Sequence, residues 1–359
     1  MGKRLYNFSA GPAMLPTEVL EASAAALVDH QGSGVGIAEV SHRGSQFQAV
    51  IEEAESRCRQ LMGIGDGYEV LFLQGGATQQ FSLIPMNFLR GHADYAIAGQ
   101  WGKKAWQAAT TVGDARAVAD TGDRNYTSIT PLADWALHPG ADYLHICSNN
   151  TIFGTRTVEW PTHDCLIADM SSEIMSRVVD MDRFGMIYAG AQKNLGPSGV
   201  VLAIIRKDLL ERCPADLPAI FRYSAHAEAD SCLNTPPTFG IYILLETFRW
   251  LERQGGVATI QERNEAKARL LYEAIDGSGG FYQGTVQEPA QRSTMNVTYV
   301  LRDEALTKPF LTGAEERGLV ALKGYRSVGG VRASIYNAMP LDGVQALVDW
   351  MREFQAQHG

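Results

Sequence analysis

The sequence predicts an α/β fold: a large domain with a mostly parallel mixed sheet flanked by helices, then a smaller C-terminal α+β domain. Three observations carry this expectation. Short apolar runs alternate with segments of helical period through the first 255 residues, the pattern of strands linked through helices and therefore lying parallel. Most of these runs end in a polar, aromatic or glycine-rich turn, and open parallel sheets gather ligands at such carboxyl ends. After Gly255-Gly256 the pattern changes to a strand-rich tail, so the domains are placed at 16–255 and 256–359, the second taking in an N-terminal arm, 1–15.

Composition narrows the chemistry. With 359 residues, 45% hydrophobic and 20% charged, the chain can bury one large core and a smaller one. A formal net charge of −9 gives no long-range attraction to nucleic acid or anionic lipid, so small-molecule partners are expected, with no nucleic acid and no membrane. No apolar run approaches the ~20 residues of a membrane span, and the start lacks the apolar core of a secretion signal, so a cytoplasmic protein is expected. The five cysteines are scattered without a Cys-x-x-Cys pair, and the eight histidines show no ligand spacing, so neither disulfides nor a metal site is expected.

The elements follow in order. Residues 7–16 form a Pro-containing extended arm or a plain tail. A capping box at Thr17 opens a helix to about residue 30, ended by Gly32-Ser33-Gly34. Ser41-His42-Arg43 precedes a helix over 46–62, where the His-Arg pair could meet an anion or simply be solvated. A strand over 68–73 runs into Gln74-Gly75-Gly76-Ala77-Thr78 and a helix, a junction whose free amides can cradle a phosphate. It lacks the Lys-Ser/Thr of a nucleotide loop and the full Gly-x-Gly-x-x-Gly of a dinucleotide site, which argues against ATP and NAD.

A strand over 95–98 leads into a loop bearing Trp101, either a packing residue or a flat face for an aromatic ligand, and a helix to about 112. Further strands over 143–147, 166–168, 186–189 and 200–205 follow, the first leading to Asn149-Asn150-Thr151. Residues 223–237 are expected to be irregular, as a long ordered loop or a subunit contact. Helices over 238–253 and 257–275 flank the domain border, and the tail alternates strand and helix to residue 357. Its Gly-rich hairpin holds Tyr325, Arg326 and Arg332, suited to a carboxylate or phosphate, or merely an exposed basic turn.

Two of the strand ends carry the reactive pair. Lys193 follows the apolar run Met186-Ile187-Tyr188-Ala189, so poor hydration can leave its amine neutral and nucleophilic toward an aldehyde. Asp169 closes another apolar run 24 residues earlier, a spacing that leaves room for a strand, a turn and a return strand and puts both side chains at neighbouring strand ends. A lysine to hold an aldehyde beside a carboxylate to hold a pyridine nitrogen protonated is the pair that pyridoxal 5'-phosphate requires.

In these residues the chain resembles the class V aminotransferases, pyridoxal-phosphate enzymes of fold type I. The matching stretches include Asn7-Phe8-Ser9-Ala10-Gly11-Pro12, Ser41-His42-Arg43, Gln74-Gly75-Gly76, Gly99-Gln100-Trp101, Ala168-Asp169-Met170-Ser171-Ser172, Gly190-Ala191-Gln192-Lys193-Asn194, Leu233-Asn234-Thr235-Pro236-Pro237 and a terminal block over 329–340. They span nearly the whole chain in order. The resemblance implies that Lys193 is the Schiff-base lysine and Asp169 the pyridinium partner, with Trp101 stacking on the ring and Thr151 bonding its edge. Gly76, Ala77, Thr78 and Gln192 are the implied cofactor-phosphate contacts, joined by Asn234 and Thr235 from the second subunit of a homodimer whose sites lie at its interface.

Arg332 is the implied clamp for the substrate α-carboxylate, and Ser9, His42, Arg43, Tyr325 and Arg326 the implied remainder of the substrate site. Many relatives have His where Tyr325 stands, which replaces a potential cation with a neutral hydroxyl. The implied activity is transfer of an amino group from L-glutamate to a phosphorylated 2-oxo acid, 3-phosphohydroxypyruvate, to give O-phospho-L-serine. It leaves open 4-phosphohydroxythreonine of pyridoxine biosynthesis as a further substrate. The rivals are an alanine–glyoxylate-type aminotransferase, a cysteine desulfurase using Cys232, or a cofactor-binding protein without turnover.

Overall fold

The computed structural model describes residues 4–359. The chain opens with β1 (Tyr6–Asn7), α1 (Thr17–Val28) and α2 (Ser45–Met62). The capping box expected at Thr17 does not form. Pro16 holds the N-cap position, its fixed φ setting the entry, while Thr17 is already helical and its hydroxyl accepts a hydrogen bond from Arg4. In α2, Phe47, Val50, Ile51, Ala54 and Cys58 recur on one buried face, and Gly63 stops the helix in the left-handed region at φ 66°.

The alternating segment gives β2 (Tyr68–Gly75), α3 (Ala77–Phe88), β3 (His92–Ile97), α4 (Gln100–Thr110), β4 (Asp114–Asp120), β5 (Leu144–Cys147), β6 (Leu166–Asp169), β7 (Met186–Gly190) and β8 (Gly199–Arg206). These strands form one seven-stranded sheet in the order β2-β8-β7-β6-β5-β3-β4. Neighbours from β7 to β4 are parallel, whereas β8 is antiparallel to both β7 and β2, so every strand except β8 presents its carboxyl end to one edge. The reversal at β8 follows from its short link to β7, residues 191–198, which is too brief for a parallel crossover.

The link from β6 to β7 is not the strand and return strand expected. The two are direct parallel neighbours joined through an irregular segment with one tight helical turn, Met181–Arg183. The strand ends still meet side by side. β4 escapes sequence detection because it is an edge strand of alanines and charges in which only Val118 is buried.

Helices α5 (Lys207–Leu210), α6 (Tyr223–Glu228) and α7 (Thr238–Arg253) complete this part. α6 corrects the expectation that residues 223–237 are irregular throughout: Tyr223 stacks on Phe88 at 5.5 Å and donates to Gln80 at 2.6 Å, and this packing stabilises a helix with weak local signal. Strands β7 and β8 are buried on both faces, sending Ile187, Leu202 and Ile204 into the core shared with α2 and α7, and Met186, Tyr188, Val201 and Ala203 into the core shared with α3.

The remainder contains α8 (Gly256–Asp276), β9 (Tyr282–Gly284), β10 (Asn296–Leu301), α9 (Thr307–Glu316), β11 (Leu319–Val320), β12 (Val331–Ser334) and α10 (Leu341–His358). Antiparallel β12-β10-β9 packs on its helices around Leu271, Val297, Tyr299, Phe310 and Phe354. The N-terminal arm joins this core, β1 pairing with β11 and Phe8 being fully buried there. α8 crosses between cores, with Val257 and Ile260 in the first and Leu271 and Ile275 in the other.

Candidate active site

The common edge of carboxyl ends opens on a cavity of about 280 Å³. Gly76, Ala77, Thr78, Trp101, Thr151, Asp169, Gln192, Lys193, Tyr325 and Arg332, all singled out in the sequence, line it together.

Lys193 sits in the turn between β7 and β8, so two buried strands anchor its backbone. Burial lowers its pKa, opposed by the negative charge of Asp169, with Arg332 adding to the lowering. A lysine at this depth has an enlarged share of neutral, nucleophilic amine. Its Nζ lies 5.4 Å from the centre of the Trp101 ring.

Asp169 ends β6 in register with Cys147 of β5 and Tyr188 of β7. It is buried, and its Oδ1 accepts from the Ser171 hydroxyl at 2.6 Å and the Ser171 amide at 3.0 Å. The Ser171 hydroxyl in turn accepts from the Gly190 amide at 3.0 Å, tying the carboxylate to the end of β7. Ser171 has no assigned role in the sequence reading, although a serine two residues after an aspartate is the signature of such a turn.

Trp101 belongs to the first turn of α4 rather than to a loop, because the helix starts at Gln100 immediately after Gly99. Its indole Nε1 donates to the Thr151 hydroxyl at 3.0 Å. Asn150, also unassigned, holds that loop: Nδ2 donates to Ala98 O at 2.8 Å, while Oδ1 accepts from the amide of Ile152 at 3.1 Å. Gly99 is required there, since an added Cβ would collide with the Asn150 side-chain amide. Across the cavity, α3 begins at Ala77 with Gly76 at its N-cap and no side chain capping it, leaving its first amides to a bound anion.

Arg332 leaves β12, and its Nη1 donates to Thr151 O at 3.2 Å. Burial lowers its pKa, yet a guanidinium stays charged at any physiological pH. Its guanidinium carbon lies 5.8 Å from the Tyr325 ring centre. The N-terminal arm closes another side through Ala10 and Gly11, where a Cβ on Gly11 would approach Lys193 Cγ to 3.3 Å, and Ala13 N donates to Gln192 O at 2.9 Å.

Six predicted residues lie outside the cavity lining. Ser9 is on the arm next to Ala10, where its hydroxyl accepts from the Gly11 amide at 3.3 Å. Arg326 is exposed on the hairpin beside Tyr325. His42 and Arg43 lie on the loop before α2, Arg43 exposed and with no ion-pair partner among the described residues. Asn234 and Thr235 lie before α7, where Thr235 O accepts from the Gln74 side chain. Among the described residues no His, Cys, Asp and Glu cluster could hold a metal ion, and no helix is long and apolar enough to cross a membrane.

A buried carboxylate, a half-buried lysine, a flat indole and a free helix N-terminus around one cavity fit pyridoxal phosphate, and together with the sheet they define a pyridoxal-phosphate enzyme of fold type I. Residues 5–347 match the class-V aminotransferase family, and the chain belongs to it. It is 52% identical to a phosphoserine aminotransferase of Geobacillus kaustophilus, over 98% of this chain and 99% of that one. The solved phosphoserine aminotransferase of Bacillus circulans subsp. alkalophilus superposes with a TM-score of 0.97 at 48% identity, covering 99% of each chain. The PLP-bound phosphoserine aminotransferase of Trichomonas vaginalis superposes with a TM-score of 0.92 at 37% identity, covering 97% of this chain and 100% of that one.

Proposed function

We propose that this chain transfers the amino group of L-glutamate to 3-phosphohydroxypyruvate, giving 2-oxoglutarate and O-phospho-L-serine for serine biosynthesis. The observation that carries the chemistry is that Lys193, Asp169 and Arg332 share one cavity. The choice of substrate rests on relatives that match about half of the residues over nearly the full length.

Pyridoxal phosphate, when bound, supplies an aldehyde that accepts the amino group and a ring that takes up the electron pair of the substrate α-carbon. The amine of Lys193 would be the base that takes the substrate α-proton on Nζ and delivers it to the carbon that carried the cofactor's aldehyde. Asp169, held by Ser171, keeps a proton on the pyridine nitrogen. Trp101 and Thr151 orient the ring as one bonded unit, and the α3 N-terminus with Thr78 and Gln192 receives the cofactor phosphate. Arg332 pairs with the substrate α-carboxylate through its two-pronged fork.

The distal group of the substrate is a γ-carboxylate in one half-reaction and a phosphate in the other. Tyr325, Arg326 and Ser9 meet it from this chain, and His42 and Arg43 from a second copy that also brings Asn234 and Thr235 to the cofactor phosphate. Two observations support such a homodimer: these four residues lie outside the cavity of their own chain, and α1 exposes Leu20, Leu27 and Val28. Residues 16–255 serve as the cofactor domain, and 256–359 with the arm as the substrate-clamping domain. The five free thiols fit a reducing, cytoplasmic setting.

A desulfurase is disfavoured. Cys232 packs against the core, and burial raises its pKa, so it lacks the thiolate that reaction needs. The test is turnover of glutamate with 3-phosphohydroxypyruvate, with 4-phosphohydroxythreonine formation assayed in parallel. Faster turnover with glyoxylate, or sulfide release from cysteine, would sink the proposal.

A further inference from the structure

Outside the cavity, Lys267 of α8 stands apart. It is only 2% exposed and has no carboxylate within ion-pair reach among the described residues. Its Nζ instead donates to three backbone carbonyls: Ile335 at 2.9 Å, Tyr336 at 2.7 Å and Met339 at 3.0 Å. An ammonium has three donors, and here all three grip one turn. One helical turn earlier on the same face, Asn264 donates to Asn337 Oδ1 at 2.8 Å and to Ser176 O at 3.1 Å. Burial pushes the Lys267 pKa down to about 7, and the three carbonyls act in the other direction by accepting from its ammonium form.

The gripped turn leads to the reaction centre on two sides. It directly follows β12, which carries Arg332. Its Asn337 amide donates to Asn194 Oδ1 at 3.0 Å, and the Asn337 side chain donates to Met175 O at 2.9 Å. Asn194 is the residue after Lys193, and its own side chain donates to Ile174 O at 2.6 Å. Thus one hydrogen-bonded chain runs from Lys267 through 335–339 to the turn of Lys193 and to the segment that follows Asp169.

We propose that Lys267 is a positioning residue for the amino transfer, which acts through Asn337 and Asn194 to hold Lys193 and Arg332 in one productive arrangement. This rests on the roles proposed for those two residues. The test uses holoenzyme carrying Lys267→Met, Asn194→Ala, or both. Each single change should shift the pH at which the visible absorbance of the bound cofactor changes, raise KM for glutamate, and lower kcat/KM by about 10- to 100-fold, the scale of a small displacement at the reacting atoms. The double variant should be no worse than the more damaged single, because both act along one chain of bonds.

Additive losses would overturn the proposal, as would a folded Lys267 variant or Asn194→Ala with an unaltered absorbance profile and KM. Should Lys267→Met not fold, Lys267→Gln takes its place in the cycle, and the Asn194→Ala criterion stands by itself. Unmutated protein that retains no cofactor absorbance would instead count against the role of Lys193, so the two failures are distinguishable.

Discussion

The indole nitrogen of Trp101 and the hydroxyl of Thr151 are joined at 3.0 Å, bonding the first turn of α4 to the loop after β5. The two side chains are therefore positioned together on one wall of the cavity. Trp101→Phe keeps an aromatic face but loses the bond, and should weaken cofactor retention by roughly fivefold, since one neutral hydrogen bond contributes on the order of 1 kcal/mol. Trp101→Ala should do clearly worse. Equilibrium dialysis of the cofactor ranks the three proteins, and equal retention in all would contradict the stacking role.

Asp169 tunes the amine of Lys193. Burial lowers the Lys193 pKa and the Asp169 charge raises it, so Asp169→Asn should lower it further. In apoprotein, the midpoint of the pH profile for chemical labelling of Lys193 should move to lower pH. A midpoint that rises or stays put would separate the two groups electrically.

At position 332, charge alone should not suffice. Arg332→Lys keeps the cation but loses the two-pronged geometry and the Nη1 contact to Thr151 O. KM for glutamate should rise by about tenfold or more, a charge-assisted hydrogen bond contributing roughly 1.5–3 kcal/mol. An unchanged KM would remove Arg332 from the substrate site.

His145 should govern part of the acid sensitivity. It lies 2.8 Å from the Tyr188 hydroxyl, and burial pushes its pKa down from 6.5 to about 3. Below pH 6.5 the unfolded chain binds a proton that folded His145 refuses, so stability present above 6.5 is lost progressively as pH falls toward 3. His145→Gln should show a shallower fall of stability over that window in denaturant titrations; an identical slope would show that His145 plays no part in it.

The parts of the site that follow strands were legible because glycine and polar punctuation after an apolar run marks a carboxyl end. Lys193, Asp169 and Trp101 fall there. Asn150 and Ser171 sit in the same stretches, but their work is done on neighbouring backbone, and nothing in composition distinguishes that from ordinary turn chemistry. Lys267 was illegible for a different reason: in a helix rich in charge it reads as a solvated lysine, and only the packing of a distant turn buries it. β4 and α6 were missed because edge position and tertiary packing, rather than local propensity, sustain them.

The pairing of Tyr6 and Asn7 with Leu319 and Val320 has a consequence for biosynthesis. The segment that covers Lys193 is synthesised well before the strand it docks on, because the two lie far apart along the chain. Until β11 has been made the lysine turn therefore lacks that docked cover, and closure of the pocket waits on a strand synthesised long after the arm itself.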